Sequence, residues 1–139
     1  MHTVQNVTGK LVEVRVASPL TLEEIQQFVR EHQTVINRIP ERYVGVVDLL
    51  HADVFPADVA QRLIQMLSVV ADRVERSAFL IGESALLALQ VERVIRNAAN
   101  PNRKAFRDPD ELGRWLGEAL TPLERSRLAG FLAHRGEIG

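Results

Sequence analysis

Residues 43–56 read Tyr43-Val44-Gly45-Val46-Val47-Asp48-Leu49-Leu50-His51-Ala52-Asp53-Val54-Phe55-Pro56, and the fold turns on how they are read. Over residues 43–49 both alternations are apolar, Val44 and Val46 on one side, Val47 and Leu49 on the other. A β-branched run of this kind expects cover on both faces, the condition of a strand inside a parallel sheet. A short polar crossing follows, and a helix begins at about Ala57. Pro56 suits that start, because its missing N–H would have lacked a partner in a first helical turn anyway. Val59, Leu63, Met66, Leu67 and Val70 then recur at the spacing of one helix face. Strand, crossing and helix make one unit of a parallel sheet. Its neighbours repeat the pattern, so the unit is expected at the centre.

Upstream, residues 3–7 suggest a short strand, turned by Thr8-Gly9-Lys10, with Gly9 supplying a positive φ. Residues 11–17 alternate Val12, Val14 and Val16 against Glu13 and Arg15, which predicts a half-buried strand near a sheet edge. Thr21-Leu22-Glu23-Glu24 has the form of a capping box. Leu22, Ile25, Phe28, Val29, Val35, Ile36 and Ile39 mark the apolar stripe of a long helix that Pro40 ends.

Downstream, residues 77–82 predict a strand, and Ser84 a cap for a helix with Leu86, Leu87, Leu89, Val94, Ile95 and Ala98 as apolar positions, which residues 97–102 terminate. Arg62, Asp72, Arg73, Glu75 and Arg76 are assigned to the wet side and exit of the preceding helix. Residues 104–107 predict a last short strand. Asp108, Pro109 and Glu111 then open a helix lined by Leu112, Trp115, Leu116, Ala119 and Leu120. Thr121-Pro122-Leu123-Glu124 starts a final helix at about 122–133, with Leu123, Leu128, Phe131 and Leu132 on its narrow apolar face. Apolar residues at helical spacing are ordinarily core, yet this face is free to dock on its own domain or on a second copy. The tail, residues 134–139, is expected to fray.

A chain of 139 residues with 46% apolar content suits one domain with a proper core. A net charge of −1 gives no basic footprint for nucleic acid or an anionic membrane. No apolar run approaches the roughly 20 residues of a membrane span. The first residues lack the basic start and apolar core of a signal peptide, so the cytoplasm is the default location. Zero cysteines exclude disulfides, thiolate zinc sites and a cysteine nucleophile. Glycine signatures of dinucleotide and phosphate-loop binding are absent, and no cofactor is expected.

With five strand–helix units in this order, the chain resembles the STAS domain family, the fold of anti-sigma factor antagonists. The resemblance runs over residues 4–120 and is closest at residues 46–55, which parallel the family's "v-v-D-L-s-x-v-x-f" run. The family continues with Asp-Ser-Ser-Gly, one serine being the phosphate acceptor. Here Pro56-Ala57-Asp58-Val59 stands in register, so that serine is absent and Asp58 or Ala57 takes its place. The ending Phe106-Arg107-Asp108-Pro109-Asp110-Glu111, with Trp115 one turn on, is similar to the STAS-like branch related in fold to the CRAL-TRIO lipid-binding proteins. The resemblance implies an α/β fold, a single STAS-like (βα)n superhelix. Its mostly parallel sheet would have four or five strands and about five helices, the last an addition to the minimal fold.

Loops leaving the carboxyl ends of parallel strands form the usual ligand crevice. Here they place His51, Asp53, Phe55, Asp58, Arg62, Glu83 and Ser84 as candidates for binding a partner or ligand. Asp58, in a first helical turn, reads first as helix-end charge optimisation and second as a permanent charge where relatives gain one by phosphorylation. His51-Ala52-Asp53 offers two metal ligands with no third in sight, and an ordinary polar loop is the stronger reading. His2, His32 and His134 are scattered, and His32 sits at the boundary of an apolar stripe rather than as a base. Gly82-Glu83-Ser84-Ala85-Leu86 has the context of a nucleophile elbow but lacks its second glycine. A helix start of this kind also suits an anion.

The expectation is therefore a non-enzymatic cytoplasmic regulatory module. It would present residues 50–62 to a protein partner, by resemblance a regulatory kinase or an anti-sigma-like factor, without the family's phosphorylation switch. A small-molecule or lipid carrier is the alternative and needs an apolar cavity of about 300–1,000 Å³. A small serine hydrolase using Ser84 is the third. A two-fold dimer through the final helix or an edge strand is also expected.

Overall fold

The computed structural model describes residues 1–98 and 100–137. In chain order its elements are β1 (His2–Gln5), β2 (Leu11–Ala17), α1 (Leu22–Asn37), β3 (Tyr43–His51) and α2 (Ala57–Val69). A 3-10 turn (Ala71–Arg73), β4 (Val74–Leu80), α3 (Ala85–Asn97), β5 (Arg103–Phe106), α4 (Pro109–Gly117) and α5 (Pro122–Ala133) follow. The five strands form one sheet whose spatial order is the chain order, β1-β2-β3-β4-β5. β1 runs antiparallel to β2, and every other pair is parallel. β3 is the middle strand, as its two apolar alternations require.

Alternation along the strands divides the interior into two cores. Val12, Val14, Tyr43, Leu49 and Phe79 face α1, α2 and α3, through Ile25, Phe28, Val59, Leu67, Leu87 and Val91. Leu11, Val44, Val46, Ala78 and Leu80 face the opposite way, toward Leu112 and Leu116 of α4 and Leu128, Phe131 and Leu132 of α5. We call these the three-helix face and the two-helix face.

Other expectations are corrected. β2 does lie near the edge, next to the rim strand β1, but it is buried on both faces rather than half-buried, and Glu13 is 1% exposed. The Glu13/Arg15 alternation therefore points not to water but into the two-helix face. There Arg127 of α5 grips Glu13 with two hydrogen bonds, 2.7 Å from Nε and 2.8 Å from Nη2. Of the two docking options left open for the final helix, the structure has it on its own domain, where Leu128, Phe131 and Leu132 join the second core while Leu123 stays exposed. β4 starts at Val74, because the 3-10 turn delivers the chain to Tyr43 of β3 sooner than the apolar run at 77 suggests. Arg73, Glu75 and Arg76 accordingly have structural partners. Arg73 Nη2 caps the end of α1 through the carbonyls of Ile36, Ile39 and Glu41. Lys10 pairs with Glu75, and Arg76 lies 4.9 Å over the Trp115 ring.

The helix starts behave largely as read. Ser84 accepts from Leu87 N–H, Asp108 from Asp110 N–H, and Thr121 with Glu124 closes a full capping box. At α1 only half of the box forms. Thr21 accepts from Glu24 N–H, but the Glu24 carboxylate turns to His2 and the terminal ammonium. Gly9 has φ +57°, as its turn demands. The tail is ordered through Glu137, since Gly136 N–H donates to Asp48 at 2.6 Å. Ile138 and Gly139, part of the predicted frayed tail, and Ala99 in the predicted α3 terminator lie outside the described residues.

Candidate functional site

The connection from β3 to α2 is built as a rigid exposed ledge. Ser18 N–H donates to the His51 carbonyl (3.1 Å), and Asp53 N–H donates to Ser18 Oγ (2.7 Å). Gln90 of α3 then clamps Phe55 from both sides: it accepts from Phe55 N–H and donates to Phe55 C=O, each at 2.8 Å. With its backbone held at both ends, the ledge presents His51, Asp53, Val54 and Asp58 to solvent, with Arg62 half-buried one turn on. Glu83 and Ser84 are exposed at the start of α3. Phe55 is the exception: it is 6% exposed and belongs to the three-helix core, so it is not part of the presented surface. On α3, Leu86 (69% exposed) and Leu89 (61%), counted in the sequence reading among the helix's apolar positions, are exposed, as is Val54 on the ledge (43%).

Chemically the ledge is sparse. Asp58 Oδ1 accepts from Val59 N–H at 2.8 Å, an ordinary use of a carboxylate in a first turn. The Ser84 hydroxyl is engaged with Leu87 N–H at 3.2 Å, and among the described residues no imidazole hydrogen-bonds to it. His134 pairs with Glu137 instead. Among the described residues no three histidines or carboxylates come together to hold a metal ion, so His51 and Asp53 gain no third ligand. No described helix is long and apolar enough to cross a membrane.

Two buried polar clusters escaped the sequence reading. On the two-helix face Asp48 is 2% exposed and collects Arg15 Nη1 (2.5 Å), Leu50 N–H (3.0 Å) and Gly136 N–H. Arg15 also donates to Phe131 C=O and lies 3.9 Å over the Phe131 ring. Asp48 thus ties β2, β3, α5 and the chain beyond α5 together, with Gly136 packed against the His51 ring.

On the three-helix face an apolar cavity of about 70 Å³ lies beneath α1, α2 and α3. Its polar members are His32, Tyr43, Ser77 and Gln90. His32 is 5% exposed, with Nδ1 unpartnered. Burial, helped by the nearby Arg103 charge, pushes its imidazole down to about 4. Burial also raises the Tyr43 phenol, against the pull of Arg103 and Arg73. The His32 signal was present as a histidine on an apolar stripe. That of Arg103 was hidden beside Lys104, where a charged pair reads as a wet strand end.

No family model matches the chain, and no curated protein matches it. Among solved structures it is similar to an uncharacterised protein of the DUF3478 family from Shewanella loihica PV-4, described as having a SpoIIAA-like fold. The TM-score is 0.65 at 15% identity, over 83% of this chain and 93% of that one. At that identity the likeness speaks of architecture alone. Five strands in one sheet, five helices and this neighbour together give the chain a SpoIIAA-like, that is STAS-like, fold.

Proposed function

We propose that the chain is a non-enzymatic, cytoplasmic regulatory module that docks a protein partner on residues 50–62 and the adjoining start of α3. The observation that carries this reading is the ledge itself. Val54 is an exposed apolar group on backbone held through Ser18 and Gln90, Leu86 and Leu89 are exposed on α3, the helix that carries Gln90, and Asp53, Asp58 and Glu83 are exposed on the same two segments. Apolar anchors on a pre-ordered frame with a polar rim are what a protein interface needs, because little ordering entropy remains to be lost on binding. The acidic rim suits a basic partner surface, a kinase or an anti-sigma-like factor among the possibilities the fold suggests.

The test is affinity capture from host lysate with crosslinking, comparing the wild-type chain with the double variant Leu86→Arg/Leu89→Arg. Both sites are exposed, so the fold is expected to hold while the captured partner is lost. Equal capture by both proteins defeats the reading. The STAS phosphorylation switch is not expected here, since Pro56-Ala57-Asp58 offers no acceptor hydroxyl. Phosphate found on residues 57–59 after incubation with a host kinase fraction contradicts that. Self-association, where it occurs, runs through the open rim of β1 or β5, because the apolar face of α5, Leu123 apart, is occupied. A lipid carrier needs several hundred Å³, and the interior opening is about 70 Å³, which narrows the carrier reading to small ligands.

A further inference from the structure

α4 and α5 leave an open groove of about 700 Å³ between them. Gly113 and Gly117 of α4 face it, each one turn from the other, as do Ala129 and Ala133 of α5, with buried Leu128 and Leu132 as its floor. With so little side chain along these two lines, a further backbone can come close. α4 has 9 residues, a length of about 13 Å, so the groove seats roughly two to three turns of a helix.

Its rim is charged with one sign. Arg114, Arg125 and Arg135 line the groove against a single carboxylate, Asp110, although the chain as a whole carries a net charge of −1. All three arginines are exposed, and among the described residues none of them pairs with an acid. Arg15, Arg76 and Arg127, by contrast, have Asp48, Glu118 and Glu13. Two of the rim arginines are already held in place by backbone. Arg125 Nη1 donates to Leu120 C=O at 2.6 Å, and Arg135 Nη1 to Leu132 C=O at 3.0 Å. The other guanidinium nitrogens of both have no partner among the described residues. Gly117 gives Arg125 its room, since a Cβ there would stand 3.2 Å from Arg125 Cδ. A guanidinium held in this way has less rotamer freedom to lose when it meets a carboxylate.

We propose that this groove docks an acidic amphipathic helix of a partner protein. The inner face of that helix, of small and apolar side chains, lies over Leu128 and Leu132, and its carboxylates meet Arg114, Arg125 and Arg135 along the rim. A free inorganic anion would use the rim and leave the apolar floor wet. A basic helix would match the floor and meet a repulsive rim. α3, with Leu86 and Leu89, packs on the other side of the sheet, so groove and ledge are separate and each stands or falls alone.

The experiment is an NMR titration of the full chain with a synthetic helical peptide of about 15 residues, alanine and leucine on one face and glutamate on the flanks. The controls are the same peptide with lysine at every glutamate position, and sodium phosphate. The glutamate peptide is expected to shift the Gly113, Gly117, Ala129 and Ala133 amides saturably, and to bind less tightly as sodium chloride is raised. The lysine peptide is expected to bind weaker by about tenfold or more. Arg114→Glu alters an exposed side chain, so it is expected to keep the wild-type Tm while weakening the glutamate peptide by about tenfold or more. Ala129→Trp, also at an exposed position, fills the groove and is expected to block the peptide. No saturable shift with the glutamate peptide, equal binding of the two peptides, or phosphate acting on the same amides as tightly as the peptide overturns the proposal. Concentration-dependent shifts of those amides before any peptide is added would mark a second copy as the occupant, and they overturn it too. The wild-type comparison of the two peptides decides the matter even where a variant fails to fold.

Discussion

Burying an imidazole beside a guanidinium favours its neutral form twice over, through lost hydration and through like-charge repulsion. For His32 the folded chain binds a proton only at about pH 4, whereas the unfolded chain binds it at the ordinary 6.5. Between those values the unfolded state holds more protons. Stability is therefore fully present above about 6.5 and drains as pH falls toward 4, by roughly 3 kcal/mol in all. Urea melts at pH 7 and pH 4.5 should show this loss in the wild type, and a clearly smaller one in His32→Phe. Asp48 is the second residue whose neighbours forbid exchange. Asp48→Ala leaves Arg15 without its acid and two backbone N–H groups without an acceptor, an expected loss of about 3–5 kcal/mol in a denaturant melt. Neither role was visible in the sequence. His32 reads as a stripe boundary and Asp48 as one letter of a motif, because burial of a polar residue depends on what comes over it from far along the chain.

At the scale of elements, α5 stands at the bounds read for it, but the polar part of its seat went unread. Its apolar face is narrow because part of its contact with the sheet is polar: Arg127 to Glu13, Glu124 to Lys10 N–H and Arg15 to the Phe131 carbonyl. A pattern search that looks for hydrocarbon sees half of such an interface. Burial alone would push the Glu124 carboxyl up, but N–H donors from Thr121 and Lys10 and the Thr121 hydroxyl hold it below its usual range. The stability this carboxylate confers is present at neutral pH and lost as pH falls through the carboxylate range. Thr121→Ala, which opens the capping box, should cost about 1 kcal/mol in a thermal melt. Gly9→Ala should cost more. Its φ is +57°, and the added Cβ would collide with Glu124 Oε2, displacing the contact that joins the β1–β2 turn to α5. The helix starts themselves were legible, since a cap is a local event. The partner of Glu24 was not, because a terminal ammonium and His2 outcompete the local bond.

Over the whole molecule, the reading of residues 43–49 carried the architecture correctly, from central strand to a chain of βα units. Covalent order and spatial order coincide here, so a one-dimensional pattern maps onto the sheet with no crossover left to guess. The ledge was placed correctly for the same reason, as the loop at the carboxyl end of that strand. What the pattern hid was the division of labour between the two faces. The sheet separates them, so damage on either side should be independent. Leu87→Ala and Leu116→Ala, both nearly fully buried, are each expected to cost about 2–5 kcal/mol, and the double variant to add within about 0.5 kcal/mol. A large coupling term in that cycle would mean that the two cores respond as one.

The placing of α4 and α5 after all five strands bears on how the protein is made. Each strand leaving the ribosome finds its neighbour already synthesised, and the α1–α3 side closes as translation proceeds. The opposite side stays bare until α4 and α5 emerge, with Leu11, Val44, Val46 and the Glu13 carboxylate waiting for their covers. A nascent chain stalled at Leu120 should accordingly be captured by chaperones, whereas one tethered beyond Glu137 should not.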